Sequence, residues 1–101
     1  MSDLPEIEHE PGEGRGRWVM RVDGLDPSEQ PEMTYRHVGA HTISIDHTGV
    51  PRSLEGRGYG SALVKRGVAD ARANGWRIVP ACPFVAVAFR RHPEWRDLLA
   101  G

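Results

Sequence analysis

Glu55-Gly56-Arg57-Gly58-Tyr59-Gly60-Ser61-Ala62-Leu63-Val64 decides the fold, because the hydrophobic period changes across it. Beyond it, Gly60, Leu63, Val64, Gly67 and Ala71 fall at helical spacing on one stripe, with Lys65, Arg66, Asp70 and Arg72 off the stripe. Asn74-Gly75 supplies the stop, since glycine takes the left-handed cap most cheaply. The spacing predicts a helix from about Gly58 to Asn74. Glycines at alternate positions in front of that helix permit close backbone approach, and the first N–H groups of the helix point outward unpaired. Such a loop seats a phosphate or pyrophosphate, helped by the helix dipole, or it is only a turn joining strand to helix.

Two common phosphate loops do not fit. A mononucleotide P-loop closes on Lys-Ser or Lys-Thr, whereas Ser61 follows Gly60 directly and the nearest lysine is Lys65. A dinucleotide fold needs a second βαβ half, and about 40 residues after the loop are too few for it.

Upstream of the loop the period is two. Trp18-Val19-Met20-Arg21-Val22 ends at Asp23-Gly24, and Met33-Thr34-Tyr35-Arg36-His37-Val38 ends at Gly39; both have strand composition closed by turn residues. His41 to Val50 sets Ile43 and Ile45 against Thr42, Ser44 and Asp46, a strand with one buried face. Downstream, Trp76 to Pro80 reads as a buried strand and Pro83 as the first residue of a helix reaching Arg91. Pro93 to Leu99 is a further short turn. The order is that of an α+β domain. Met1 to about Gly16 carries Asp3, Glu6, Glu8, Glu10 and Glu13 without apolar periodicity, so residues 1–16 read as a solvated acidic tail and 17–101 as one domain.

Composition narrows the class. At 101 residues, 39% hydrophobic and 27% charged, the chain supports a single core. Thirteen Lys and Arg against fourteen Asp and Glu give a net charge of −1, which argues against nucleic acid or a membrane surface as partner. A single cysteine forms no intramolecular disulfide or CxxC pair, and neither a leader nor a spanning run is seen, so a cytoplasmic setting is expected. His9, His37 and His41 have no metal-ligand spacing with one another or with Cys82, so no metal is expected.

Val50-Pro51 followed by Leu54 to Val64 resembles the pyrophosphate loop and following helix of the Gcn5-related N-acetyltransferases. Val79-Pro80-Ala81-Cys82-Pro83-Phe84-Val85, with Arg91-His92-Pro93-Glu94, resembles the small single-domain branch of that superfamily, marked by Cys-Pro-Phe-Val. The resemblance covers about Trp18 to Leu99. It implies a mixed, mostly antiparallel sheet flanked by helices and splayed between its fourth and fifth strands, with acetyl-CoA in the gap. It implies backbone N–H groups of Arg57, Gly58, Tyr59, Gly60 and Ser61 on the pyrophosphate, and strand edges from Thr48 to Val50 on the pantetheine arm. It also implies transfer of acetyl to an exposed amine, a protein lysine or a small amine, with the acceptor and the oligomeric state left open.

The sequence departs from the family pattern at three positions. Glu55 stands where the loop usually opens with Gln or Arg, Gly49 where many relatives carry a glutamate base, and Ala88 where a tyrosine often serves as acid. His47 and Cys82 remain as catalytic candidates. An imidazole with an ordinary pKa near 6.5 can take a proton from an ammonium, but the register of His47 with Ile43 and Ile45 puts it on their face, which describes a core-edge histidine better than a base. Cys82, between a strand and a helix N-terminus, lines the acyl pocket, takes the acetyl group transiently, or is a small buried hydrophobe. With those reactive positions altered, a non-catalytic acyl-CoA binding or sensing module is the alternative to an enzyme, and an interaction domain without ligand is a third class.

Overall fold

The alternating stretches form one five-stranded sheet in a computed structural model that describes residues 4–100. The strands are β1 (Ile7–Pro11), β2 (Arg15–Met20), β3 (Glu32–Gly39), β4 (Thr42–Gly49) and β5 (Arg77–Pro80), in that spatial order. Short turns join β1 to β2 and β3 to β4, and residues 21–31 with a 3-10 turn (Pro27–Glu29) join β2 to β3; these strands pair antiparallel, whereas the crossover through helix α1 (Tyr59–Asn74) makes β5 parallel to β4. Helix α2 (Pro83–Arg91) and a 3-10 turn (Pro93–Leu98) follow. This is the α+β, mostly antiparallel arrangement expected from the sequence.

Both helices dock on one face of the sheet, where Trp18, Met33, Tyr35, Ile43, Ile45 and Ile78 meet Leu63, Val64 and Val85, all essentially without solvent contact. Each such aliphatic side chain contributes about 1.5–3 kcal/mol by leaving water. Gly67 lets α1 approach closely: a Cβ there would lie 2.6 Å from Met33 Cε and 3.4 Å from a Trp18 ring carbon. The opposite face is charged. Arg17 bridges Glu10 and Glu32, Arg21 bridges Glu8 and Glu10, and Arg36 holds Asp46.

The acidic segment before Gly16 is not a tail. Ile7–Pro11 pairs with β2, and β2 itself begins at Arg15, so the folded unit starts ahead of the expected boundary at residue 17. Ile7 packs against the core and His9 stacks on Trp18, while Glu8 and Glu10 turn to Arg17 of β2 and to Arg21 just after it. A strand whose inward residues include a histidine and whose outward ones are glutamates lacks the apolar alternation that marks strands. Residues 1–3 of the expected tail lie outside the described residues.

A β-bulge alters β4. Tyr35 faces Ile45 but Thr34 faces His47, so Asp46 is an extra residue on β4. Its carboxylate accepts from Arg36 and from the buried Ser44 hydroxyl, which fixes the irregularity, and the Arg36 bond in first place holds its pKa below the usual carboxylate range. Past the bulge the faces are exchanged: Thr48, opposite the buried Met33, points to the helices, and His47 is exposed on the charged face. The expected sharing of a face by His47, Ile43 and Ile45 is therefore wrong, because period two holds only while no residue is inserted.

Candidate active site

The site begins where β4 and β5 part. Their pairing runs from Thr42 with Arg77 to Ile45 with Pro80, and Cys82 N–H donating to Ile45 O at 2.9 Å is the last link. Pro83 then turns the chain into α2 while β4 continues to Gly49, leaving a wedge between them.

The glycine loop closes the wide end of the wedge. Leu54 and Tyr59 bury their side chains in the core and tether the loop at both ends. Gly58, in the left-handed region at φ +79°, is the N-cap of α1 and offers no side chain to its first turn. The N–H groups of Tyr59, Gly60 and Ser61 precede the first helical return, that of Ala62 N–H to Gly58 O at 3.0 Å. The three residues line a cleft of about 220 Å³ bounded by the loop, Val50 and Phe84. Phe84 is 45% exposed, and a Cβ on Gly60 would lie 2.8 Å from its ring, so a side chain at this position displaces the ring where the two helices start side by side.

Cys82 lies at the narrow end, buried, with its thiol 3.7 Å from Thr48 Oγ1. Burial disfavours its thiolate, but the N–H dipoles of Val85 and Phe84 and the hydroxyl and N–H of Thr48 outweigh burial, and the net shift is downward. The sulfur caps α2 without closing a full hydrogen bond to it. On the other side of β4, a shallower hollow of about 270 Å³ is lined by Glu29, Glu32, Gly49 and Val50. On that face of β4 the His47 ring lies over Gly49, its Nε2 2.9 Å from where a Cβ would project, without lining the hollow itself. Val50 borders both cavities, so the end of β4 is the partition between them.

Of the expected donor-binding residues, Val50, Gly58, Tyr59, Gly60 and Ser61 line the cleft. Arg57 is exposed on the loop beside it, and Thr48 stands behind it against Cys82. Cys82 and His47 occupy opposite faces of β4 and do not form a pair. Phe84, which sequence reasoning passed over, forms the wall facing the loop; its only signal was an aromatic residue just inside a helix start. Uncapped N–H groups, left-handed glycines and an apolar wall fit the pyrophosphate and arm of an acyl-CoA, with the Glu55 carboxylate the one opposing charge on the lining. Among the described residues, no cluster of three or more His, Cys, Asp or Glu is disposed to hold a metal ion, and no helix is long and apolar enough to cross a membrane.

Comparison with known proteins agrees with this geometry. No curated protein matches the chain. The solution structure of a GCN5-like protein from Staphylococcus aureus superposes with a TM-score of 0.71 at 34% identity, over 100% of this chain and 92% of that one. Two larger crystal structures share the fold at a TM-score of 0.56. They are a GNAT-family protein from Desulfovibrio desulfuricans (19% identity, 80% of this chain, 54% of that one) and ribosomal-protein-alanine N-acetyltransferase from Brucella melitensis biovar Abortus 2308 (18%, 89% and 66%). The family model described as GCN5-related N-acetyl-transferase matches residues 17–98, from the strand that carries Trp18 through the splayed cleft to the final turn, and the chain is a member of that family of amine acetyltransferases.

Proposed function

We propose that the protein moves acetyl from acetyl-CoA to an exposed primary amine, a protein lysine or a small amine. The uncapped first turn of α1, opening on a cleft between splayed strands, carries this reading: it offers N–H donors and a positive dipole end with no internal partner. Gly58, Tyr59, Gly60 and Ser61 hold the pyrophosphate through backbone N–H groups, Arg57 adds charge at the rim, and Thr48 and Val50 border the arm. The donor supplies an activated thioester carbonyl.

Beside it, the end of β4 orients the reactants and a backbone N–H meets the developing oxyanion. The amine nitrogen bonds to the carbonyl carbon, the C–S bond breaks, and the thiolate takes up a proton. His47, exposed on the hollow side of β4, takes the ammonium proton directly or through water. Cys82, its thiol pKa drawn downward beside Thr48, borders the acyl group. The open hollow beyond the partition suits an exposed amine better than an enclosed metabolite.

Mass spectrometry of a lysine-peptide and small-amine panel with saturating acetyl-CoA tests this, with a gain of one acetyl group on at least one amine expected. Absence of transfer above background overturns it. Gly49 and Ala88, which bring no reactive side chain to the cleft, favour a second reading as an acyl-CoA binding module. Tight acetyl-CoA binding without turnover is its signature.

A further inference from the structure

The cleft does not end at Phe84. A second cavity of about 130 Å³ shares Ser61 and Phe84 with the first and continues between the helices past Val87 and Ala88 to Arg91 and His92. Two turns of α2, about 10 Å, separate Phe84 from Arg91, which lines the far end of the cavity. Its charge is unspent: among the described residues Arg91 has no carboxylate partner. His92 does have one, as its Nδ1 lies 2.8 Å from Glu94 and its ring stacks on Trp95 at 4.0 Å. The chain thus sets a groove with an apolar aromatic wall between an uncapped helix start and an unpaired guanidinium.

We infer that Arg91 reads the 3′-phosphate of the donor nucleotide, making the protein selective for CoA over 3′-dephospho-CoA. This rests on the acyl-CoA reading above and deepens it. A ligand whose pyrophosphate sits on the N–H groups of Tyr59 to Ser61 and whose nucleoside passes Phe84 brings its ribose phosphate toward the far end of the groove. There a guanidinium gives bidentate, charge-assisted hydrogen bonds. The C-terminal end of α2 and the Glu94 carboxylate are both negative, so without Arg91 this end would repel a phosphate.

Calorimetric titration with CoA and with 3′-dephospho-CoA tests the inference on wild type, Arg91→Gln and Arg90→Gln. Arg90 is the control: it is equally exposed but lines a different cavity, with Phe89 and Arg96. Wild type and Arg90→Gln should bind CoA roughly tenfold more tightly than the dephospho form. Arg91→Gln should bind both alike, at the affinity of wild type for dephospho-CoA. Equal affinities in wild type, or a preference that survives in Arg91→Gln, overturns the inference and leaves the acyl-CoA reading standing. No binding of either ligand to folded wild type overturns both.

Discussion

The two ends of α1 treat polar groups in opposite ways. Toward its C-terminal half, Asp70 accepts from Trp18 Nε1 at 2.8 Å and from Arg66 Nε at 3.0 Å, and Arg66 also donates to Ile7 O at 2.7 Å. His9 joins the group by a 2.7 Å hydrogen bond with the Tyr35 hydroxyl and by stacking on Trp18. Every partner there is internal, and the result is a latch that fastens β1 to the sheet and helix. At the first turn, N–H donors are left uncapped and Phe84 stays half exposed. One helix is anchored at one end and open at the other, so stability and ligand binding rest on separate residues and separate on mutation.

The sharpest separation is expected from Asp70→Ala. Removing the shared acceptor strands the Trp18 indole N–H and the partly buried Arg66 guanidinium, at a cost of about 2–3 kcal/mol of unfolding free energy by urea titration. Acetyl-CoA affinity should be unchanged; a tenfold loss would mean that latch and cleft are one unit. Gly60→Val works from the other end. A branched side chain meets the Phe84 ring and narrows the cleft, and acetyl-CoA should bind about tenfold more weakly, while stability falls by no more than about 1–3 kcal/mol. Unaltered affinity would remove Phe84 from the binding wall.

Thr48→Val is a smaller change inside the wedge. Because the Thr48 hydroxyl helps to favour the Cys82 thiolate against burial, the pH midpoint of iodoacetamide alkylation should rise in this variant. A midpoint that stays put would mean that backbone N–H groups alone, those of α2 and of residue 48, lower the thiol. The smallest effect concerns the latch and pH. Burial lowers the His9 pKa, with Arg66 adding to this and Asp70 opposing it, so the unfolded chain takes up the proton first as pH falls. Stability should therefore decline as pH drops through the ordinary histidine range, near 6.5, and level off below the folded-state value. His9→Gln should lack that segment of the pH–stability curve; an identical curve would show that His9 does not titrate with unfolding.

The sequence told more about the helical half than about the strands that frame the site. Gly58, the stripe from Leu63 to Ala71, and Gly75 each act locally, so α1 was legible to within a residue. The splay was implied by the family resemblance, and in the structure Pro83 starts α2 just past β5. What was not legible depends on contacts distant in sequence. The bulge at Asp46 is held by Arg36 from β3, and it alone sends His47 to the charged face and Thr48 to Cys82. Strand β1 exists because Trp18, Tyr35 and Asp70 await His9, and Arg17 and Arg21 await its glutamates. Phe84 became a cleft wall only once α1 and α2 were set side by side with Gly60 between them.

The central claim is that the uncapped start of α1 is a pyrophosphate seat, and titration calorimetry with acetyl-CoA on wild type and Gly58→Asp tests it most directly. A carboxylate at position 58 repels phosphate at the helix start, and it also strains the backbone because Gly58 sits at φ +79°. Saturable binding by wild type, weakened at least about thirtyfold in a variant that remains folded by circular dichroism, is the expected result. Equal affinity in the two proteins, or no binding by folded wild type, would contradict it.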